Sequence, residues 1–371
     1  MSQLESQAPY VDAPPPSSSG LSSRTLTMAV TGILAIVLGG VISLLPAPYA
    51  IYAPGPATNV LGKVGPLELI TINPPTKSFR PVDGSTLDMT TVSVFGGPGN
   101  KVSMLDVLRG WISPTRAVVP VEQVFPPGQT QGEAQAETQA EMSDSQQQAT
   151  AAGLRLAGYT VPEKITIADV SKGMPAAKVL KADDVITAID GTKVVDSAHL
   201  RATVQKLKPG ADVRVTVRRN GTSTELKTTT GSSDGRTVLG VDLKTTYDFP
   251  VDVEFATKDV GGPSAGMMFA LGIYDLLTEG DLGAGAQIAG TGTIDGAGNV
   301  GPIGGIAQKL VGARRAGAKW FIAPQSNCNE VVGHIPAGLH VVSSSNLTQT
   351  RDDVEKIATG DGASLPVCKA S

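Results

Sequence analysis

The sequence predicts an α+β chain, and three features carry that expectation. Short runs rich in β-branched and apolar residues, cut by Pro and Gly, fill residues 51 to about 124 and again about 162 to 230. An almost wholly apolar stretch follows Gly266 and reads as a buried helix. Residues 26–45 hold 20 positions without a charge, enough as a helix to cross a hydrocarbon core of about 30 Å.

Taken in order, residues 1–25 form a polar Pro- and Ser-rich tail that buries too little apolar surface to fold, so a disordered cytoplasmic tail is expected. Residues 26–45 then read as a transmembrane anchor, stopped by Pro46 and Pro48. A cleaved signal peptide competes with that reading, but the apolar region is long for one and no small-x-small cleavage site precedes the prolines. Arg24 stands before the span and Lys63 is the first basic residue after it, a bias that puts the tail inside and the rest of the chain on the extracytoplasmic side.

Residues 51–160 read as a β-rich region, with strands expected at Leu67 to Ile72 and Thr90 to Val94. The Gln-, Glu- and Ala-rich residues 126–144 read as a flexible loop or a helix entry, and Ser143 or Asp144 as the cap of a helix through Leu154. Residues 162–230 alternate at Lys164 to Ile167, run through Asp184 to Ile189 into an Asp190-Gly191 turn, and alternate again at Val213, Val215 and Val217 up to an Asn220-Gly221 hairpin turn. One helix starts near Asp196 or Ser197 and puts Leu200, Val204 and Leu207 on one face.

Residues 236–350 hold the chemistry. Gly261-Gly262-Pro263-Ser264-Ala265-Gly266 is followed 45 residues after its serine by Lys309. A serine hydroxyl needs a neighbouring base to attack a carbonyl. Lysine serves only when neutral, which an exposed lysine is about one time in a thousand near pH 7.5. Ile303, Ile306, Ala307, Leu310, Val311 and Ala313 surround Lys309 in sequence and supply the apolar setting that lowers an amine pKa. The glycines allow close backbone approach, and the free amides at the start of the next helix suit an oxyanion, with Gly262, Ser264 and Ala265 as candidate donors. The bland alternative is a loop-to-helix junction capped by the serine, with Lys309 on a solvated face.

These motifs, with Thr291-Gly292 between them and Arg314-Arg315-Ala316-Gly317 after them, resemble the catalytic domain of Lon proteases in order and spacing. The resemblance implies a Lon-type α/β proteolytic domain with Ser264 as nucleophile, Lys309 as general base and Thr291 as a supporting hydroxyl. It also makes a homo-oligomeric ring plausible. Three positions depart from the pattern: Gly261 and Thr293 where acidic residues are usual, and Gln308 where a glutamate is usual. Leu180 to Gly191 resembles the signature stretch of PDZ domains, with Asp183-Asp184 in place of Gly-Asp and no Gly-x-Gly-aromatic loop before it. PDZ modules bind extended peptides by strand addition. Because the helix ending near Leu154 resembles one that precedes the Lon catalytic serine, the PDZ-like module is expected to be inserted in, or docked on, a catalytic domain that begins before it.

The reading is therefore a membrane-anchored, ATP-independent serine endopeptidase acting on loosely folded proteins or peptides. A proteolytically inactive membrane-bound adaptor is the alternative. The chain shows no Gly-x-x-x-x-Gly-Lys-Ser/Thr loop. Gly296-Ala297-Gly298-Asn299-Val300-Gly301 opens on Pro302 and reads as a turn, not a dinucleotide site. A net charge of −4 with few aromatics excludes a nucleic-acid stripe. The three histidines form no ligand spacing with the cysteines or carboxylates, so neither metal nor cofactor is expected, and nothing in the sequence ties His334 or His340 to Ser264. Cys328 and Cys368 would be free to bridge in an oxidising compartment, and residues 351–371 read as a C-terminal tail.

Overall fold

The computed structural model describes residues 22–80, 84–233, 235–257 and 260–369. The expected tail lies outside these residues up to position 21. Helix α1 (Ser23–Leu44) starts on the Ser22 side chain and buries none of its residues. It is long and apolar enough to cross a membrane. The chain turns extended at Leu45 because Pro46 has no amide to continue the helix.

A six-stranded sheet forms the centre of the larger body. β1 (Tyr49–Asn59) and β2 (Thr86–Phe95) pair antiparallel, and after α2 (Met104–Trp111) β3 (Ala117–Pro120) adds antiparallel to β1. The chain then leaves this sheet through α3 (Gln131–Leu156) and does not rejoin it until well past residue 250. In between lies a second sheet made of β4 (Glu163–Val170), β5 (Val185–Ile189), β6 (Asp212–Arg219), β7 (Thr222–Thr229) and β8 (Val241–Tyr247), with α4 (Ser197–Gln205) packed on it. Its strand order is β7-β6-β5-β4-β8, all antiparallel. Asp190-Gly191 and Asn220-Gly221 make the expected tight turns, all four residues at positive φ. The sheet runs past residue 230, because β8 pairs with β4 along its whole length.

After β8 come α5 (Gly266–Leu277), β9 (Gln287–Gly290), α6 (Ile306–Arg315), β10 (Trp320–Pro324), the short α7 (Cys328–Val331), β11 (His340–Ser344) and α8 (Leu347–Ala358). β9 slots in parallel between β2 and β10, completing the order β11-β10-β9-β2-β1-β3. The smaller module is thus inserted between two sequence halves of one sheet.

Two expectations need correction. Of the two readings of residues 126–144 the structure takes the helix entry, but Ser143 and Asp144 lie inside the helix and do not cap it: α3 begins at Gln131 on a reciprocal capping box in which Thr130 receives the Glu133 amide and Glu133 receives the Thr130 amide. That local pair outweighs the low hydropathy of the segment. Residues 351–369 are not a loose tail, since Val354, Ile357 and Leu365 are buried in the main core with α5.

α5 owes its position to being apolar all round. Met267 to Leu271, Ile273 and Leu276 are buried, and α3 reaches it so closely that a Cβ at Gly153 would stand 2.7 Å from the Ala270 carbonyl oxygen. One polar side chain is carried in. Asp275 is 1% exposed, accepts from the Leu282 amide, and leaves Oδ2 without a partner among the described residues. Burial pushes its carboxyl up to about 6. With the folded-state value raised, the stability it costs is absent at low pH and is fully present above about 6. Asp275→Asn is expected to gain roughly 1–2 kcal/mol at pH 7.5 and almost nothing at pH 4, measured by denaturant unfolding at both pH values.

Candidate active site

The serine is held at a turn by three contacts from α3. Gly262 takes a φ of +81° and donates its amide to the Thr138 carbonyl at 3.1 Å. Ser145 Oγ donates to the Pro263 carbonyl at 3.0 Å, and Gln146 Nε2 to Thr257 Oγ1 at 2.8 Å. A Cβ at position 261 would meet Thr138 Cγ2 at 2.0 Å, so an acidic residue there would not fit under α3. That accounts for Gly261. α5 starts one residue beyond Ala265, its N-cap, with no side-chain cap. The Ser264 hydroxyl is therefore not a helix cap.

Lys309 comes from α6, which starts at Gly305 with a φ of +70°. Its side chain is 2% exposed beside buried Ile306, Leu310 and Ala313. Burial lowers its amine from 10.5 to about 7. Nζ donates to Thr291 Oγ1 at 2.9 Å, and Thr291 Oγ1 donates to the Ser264 carbonyl at 2.9 Å. The direction of this relay matters. Thr291 gives its one hydroxyl proton to the carbonyl, so toward Lys309 it acts only as acceptor, and the amine lone pair stays unspent. Gly292 fixes the same carbonyl by donating its amide at 2.8 Å.

Ser264 and Lys309 line one cavity of about 490 Å³, together with Gly304 and Gly305 and the Thr90 to Val94 stretch of β2. A second cavity of about 500 Å³ adjoins it through Met142, Val260 and Gly261 and is walled by Gln135, Thr138 and Gln139 of α3. Neither wall was found from the sequence. β2 enters because β9 pairs only with Thr86 to Met89, leaving the later residues of β2 facing the cavity; the only hint in sequence was the alternating run at 90–94.

Of the three oxyanion donors expected, Gly262 is corrected by its bond to Thr138: an amide already spent inside the fold has nothing to offer a substrate. The amides of Ser264 and Ala265 have no acceptor among the described residues. They sit at the start of α5, where the helix dipole is positive.

The remaining candidates fall elsewhere. Cys328 and Cys368 are joined, with Cα atoms 4.8 Å apart. His334 contacts the Glu330 carbonyl and His340 lies against Trp320, and neither lines the serine cavity. The 295–299 segment is a turn in which Asp295 receives the Ala297 and Asn299 amides. Thr293 pairs across to Gly301, and Gln308 is buried on α6.

In the inserted module, Asp184 is almost fully buried and takes two hydrogen bonds from Arg219 and one from the Lys181 amide, which hold its carboxyl below the usual range. Asp183 stands at φ 69°, the left-handed conformation that glycine adopts most readily. β8 is an edge strand, and a groove of about 470 Å³ separates it from α4, lined by Leu200, Val204, Leu239, Val241 and Leu243 with Arg201 and Arg236 at hand. Leu239 and Gly240, the latter at φ 72°, lead directly into that strand.

Comparison with known families bears on both bodies. Residues 138–230 match the PDZ domain family, and residues 241–359 match the Lon protease (S16) C-terminal proteolytic domain. Lon protease of Campylobacter concisus is 36% identical over 117 residues, which make up 32% of this chain and 14% of that protein. Lon protease 1 of Herpetosiphon aurantiacus is 40% identical over 91 residues, 24% of this chain and 11% of that protein. The chain thus spans about one seventh of the length of such relatives. Among solved structures, the PDZ domain of an SdrC-like protein from Listeria monocytogenes aligns with a TM-score of 0.21 and 25% identity, covering 21% of this chain and 85% of the other. The chain carries a PDZ domain and a Lon-type proteolytic domain.

Proposed function

We propose that the chain is a membrane-anchored serine endopeptidase that works without ATP, with Ser264 as nucleophile and Lys309 as general base. The observation that carries this is the buried Lys309 amine, lowered to about 7, bonded to the buried Thr291 hydroxyl and lining the same cavity as Ser264. Ser264 Oγ attacks the substrate carbonyl carbon while Lys309 Nζ takes the hydroxyl proton. The oxyanion lies on the Ser264 and Ala265 amides. Collapse breaks the peptide C–N bond, and the ammonium returns its proton to the leaving amine. Water, deprotonated by the same amine, then attacks the acyl ester and releases Ser264.

The two adjoining cavities suit an extended chain, and the neutral Gln135, Thr138 and Gln139 wall offers hydrogen bonds without selecting a charge. Such a cleft takes unfolded segments. The groove beside β8 would hold a further stretch of substrate by strand addition. The proteolytic domain begins with β1, before the PDZ insertion. The apolar α1 anchors the chain, and the Cys328 to Cys368 bond agrees with an extracytoplasmic location.

Labelling with a serine-directed fluorophosphonate tests the reading. The expected result is stoichiometric modification at Ser264 without added nucleotide; labelling that depends on ATP, or that persists in Ser264→Ala, would overturn it. Thr291→Val, which keeps the shape of the side chain and removes the hydroxyl, is expected to lower kcat about tenfold or more with KM little changed, while Thr291→Ser restores most of it. Steady-state peptide hydrolysis measures both.

A further inference from the structure

Helix α2 carries an apolar surface that the fold leaves uncovered. Val107 and Gly110 are buried, and a Cβ at Gly110 would stand 2.6 Å from Val118; that side faces the sheet. Met104, Leu105, Leu108, Trp111 and Ile112 follow at helical spacing on the adjoining side. Leu108 is 47%, Trp111 56% and Ile112 84% exposed. Asp106 and Arg109 occupy the remaining arc.

What covers this surface follows from where the chain puts it. Pro46 and Ala47, the residues just past α1, pair with Ser103 and Val102, the residues just before α2. The Met104 amide donates to the Leu45 carbonyl at 3.0 Å, and the two helices touch. α2 is therefore fastened at the height where α1 ends. Tyr49 meets Trp111 edge to face at 5.9 Å between ring centroids, and Lys101, Arg109 and Arg116 are exposed around the patch. Aromatic rings and cations flanking an apolar stripe match the composition of a bilayer interface.

We propose that α2 is a second, in-plane membrane contact: its Leu108, Trp111 and Ile112 side chains enter the headgroup and acyl boundary of the leaflet from which α1 emerges. This rests on the reading of α1 as an anchor. With one transmembrane helix alone, the body would tilt and rotate with α1, to which residues 45–48 fasten it. Attached at two points, it is held at a fixed tilt, and the cleft keeps a constant height above the lipid.

Trp111 and Trp320 are the two tryptophans of the chain, so full-length Trp320→Phe reports on Trp111 alone. The protein is reconstituted in phosphatidylcholine and phosphatidylglycerol vesicles with and without lipids brominated high on the acyl chain. Co-flotation with the vesicles tests α1, and quenching tests α2. The expected result is co-flotation with Trp111 emission quenched by about half or more by brominated lipid. Adding Leu108→Gln and Ile112→Gln, both at exposed positions, should remove most of that quenching while leaving flotation and peptide hydrolysis unchanged. A floating protein whose Trp111 is quenched by aqueous acrylamide and not by bromolipid overturns the proposal. So does a Trp111 shielded from both quenchers, which would mean that a second copy or another protein covers the patch. Loss of flotation itself would refute the anchor, and this contact with it.

Discussion

Ser264→Ala is expected to reduce cleavage of an unfolded protein such as casein by at least about a thousandfold, with the variant folded and its unfolding midpoint unchanged. The size of the effect follows from the role: the hydroxyl forms the bond on which the acyl-enzyme depends, and alanine has no atom that can form it. The null effect on stability follows from the structure. The hydroxyl caps nothing, since α5 is entered at Ala265 without a side-chain cap, and the contacts that hold the turn come from the backbone of 262–264 to Thr138, Ser145, Thr291 and Gly292. Cleavage by Ser264→Ala at the wild-type rate would refute the mechanism. Binding of unfolded protein by the PDZ groove would survive that result, so a pull-down with the same variant separates recruitment from cleavage.

Lys309→Met is expected to abolish activity to a similar degree while making the protein more stable. The amine titrates at about 7 in the fold against 10.5 when free, so between those values the unfolded chain holds the extra proton. Stability therefore rises with pH across that window, and below about 7 the cost of burying the amine is present in full. Methionine removes that cost. Near pH 7 the gain should be on the order of 3 kcal/mol, shrinking toward pH 10. Thr291 is not orphaned by the change, because its hydroxyl still donates to the Ser264 carbonyl. In the wild type the same titration sets the rate: kcat/KM should climb through pH 7 and level off above it, since only the neutral amine accepts the serine proton. Lys309→Arg, which stays charged, should be inactive throughout. A wild-type profile flat from pH 5 to 9, or a Lys309→Met variant less stable than wild type at pH 7, would count against Lys309 as the base.

Much of this site is legible in the sequence, and the residues explain why. Ser264, Thr291 and Lys309 sit in short motifs whose spacing is kept by local structure: a glycine turn before α5 and a positive-φ glycine before α6. The hairpin turns at Asp190-Gly191 and Asn220-Gly221 were equally local. The start of α3 is less legible because its first half is polar and exposed, so hydropathy has no period there and only the capping box at Thr130 and Glu133 marks it. Gly262 cannot be told from Ser264 and Ala265 as a donor at that level, because a free amide and a spent one look the same in sequence.

The sequence by itself determined the pieces whose causes lie within a few residues of one another. These are an apolar helix of membrane-spanning length, the tight turns, the α5 and α6 starts, and the residue types needed for acyl transfer. The tertiary structure decided what those pieces face. Ser145 reaches Pro263 across 118 residues and Thr90 reaches Gly290 across 200, while the PDZ insertion lies between the two halves of the sheet that joins them. Burial, and with it the lowered amine of Lys309, arises only when such distant segments close on each other. No local pattern encodes that closure, because its free energy comes from removing apolar surface from water over the whole core and not from any neighbouring pair of residues.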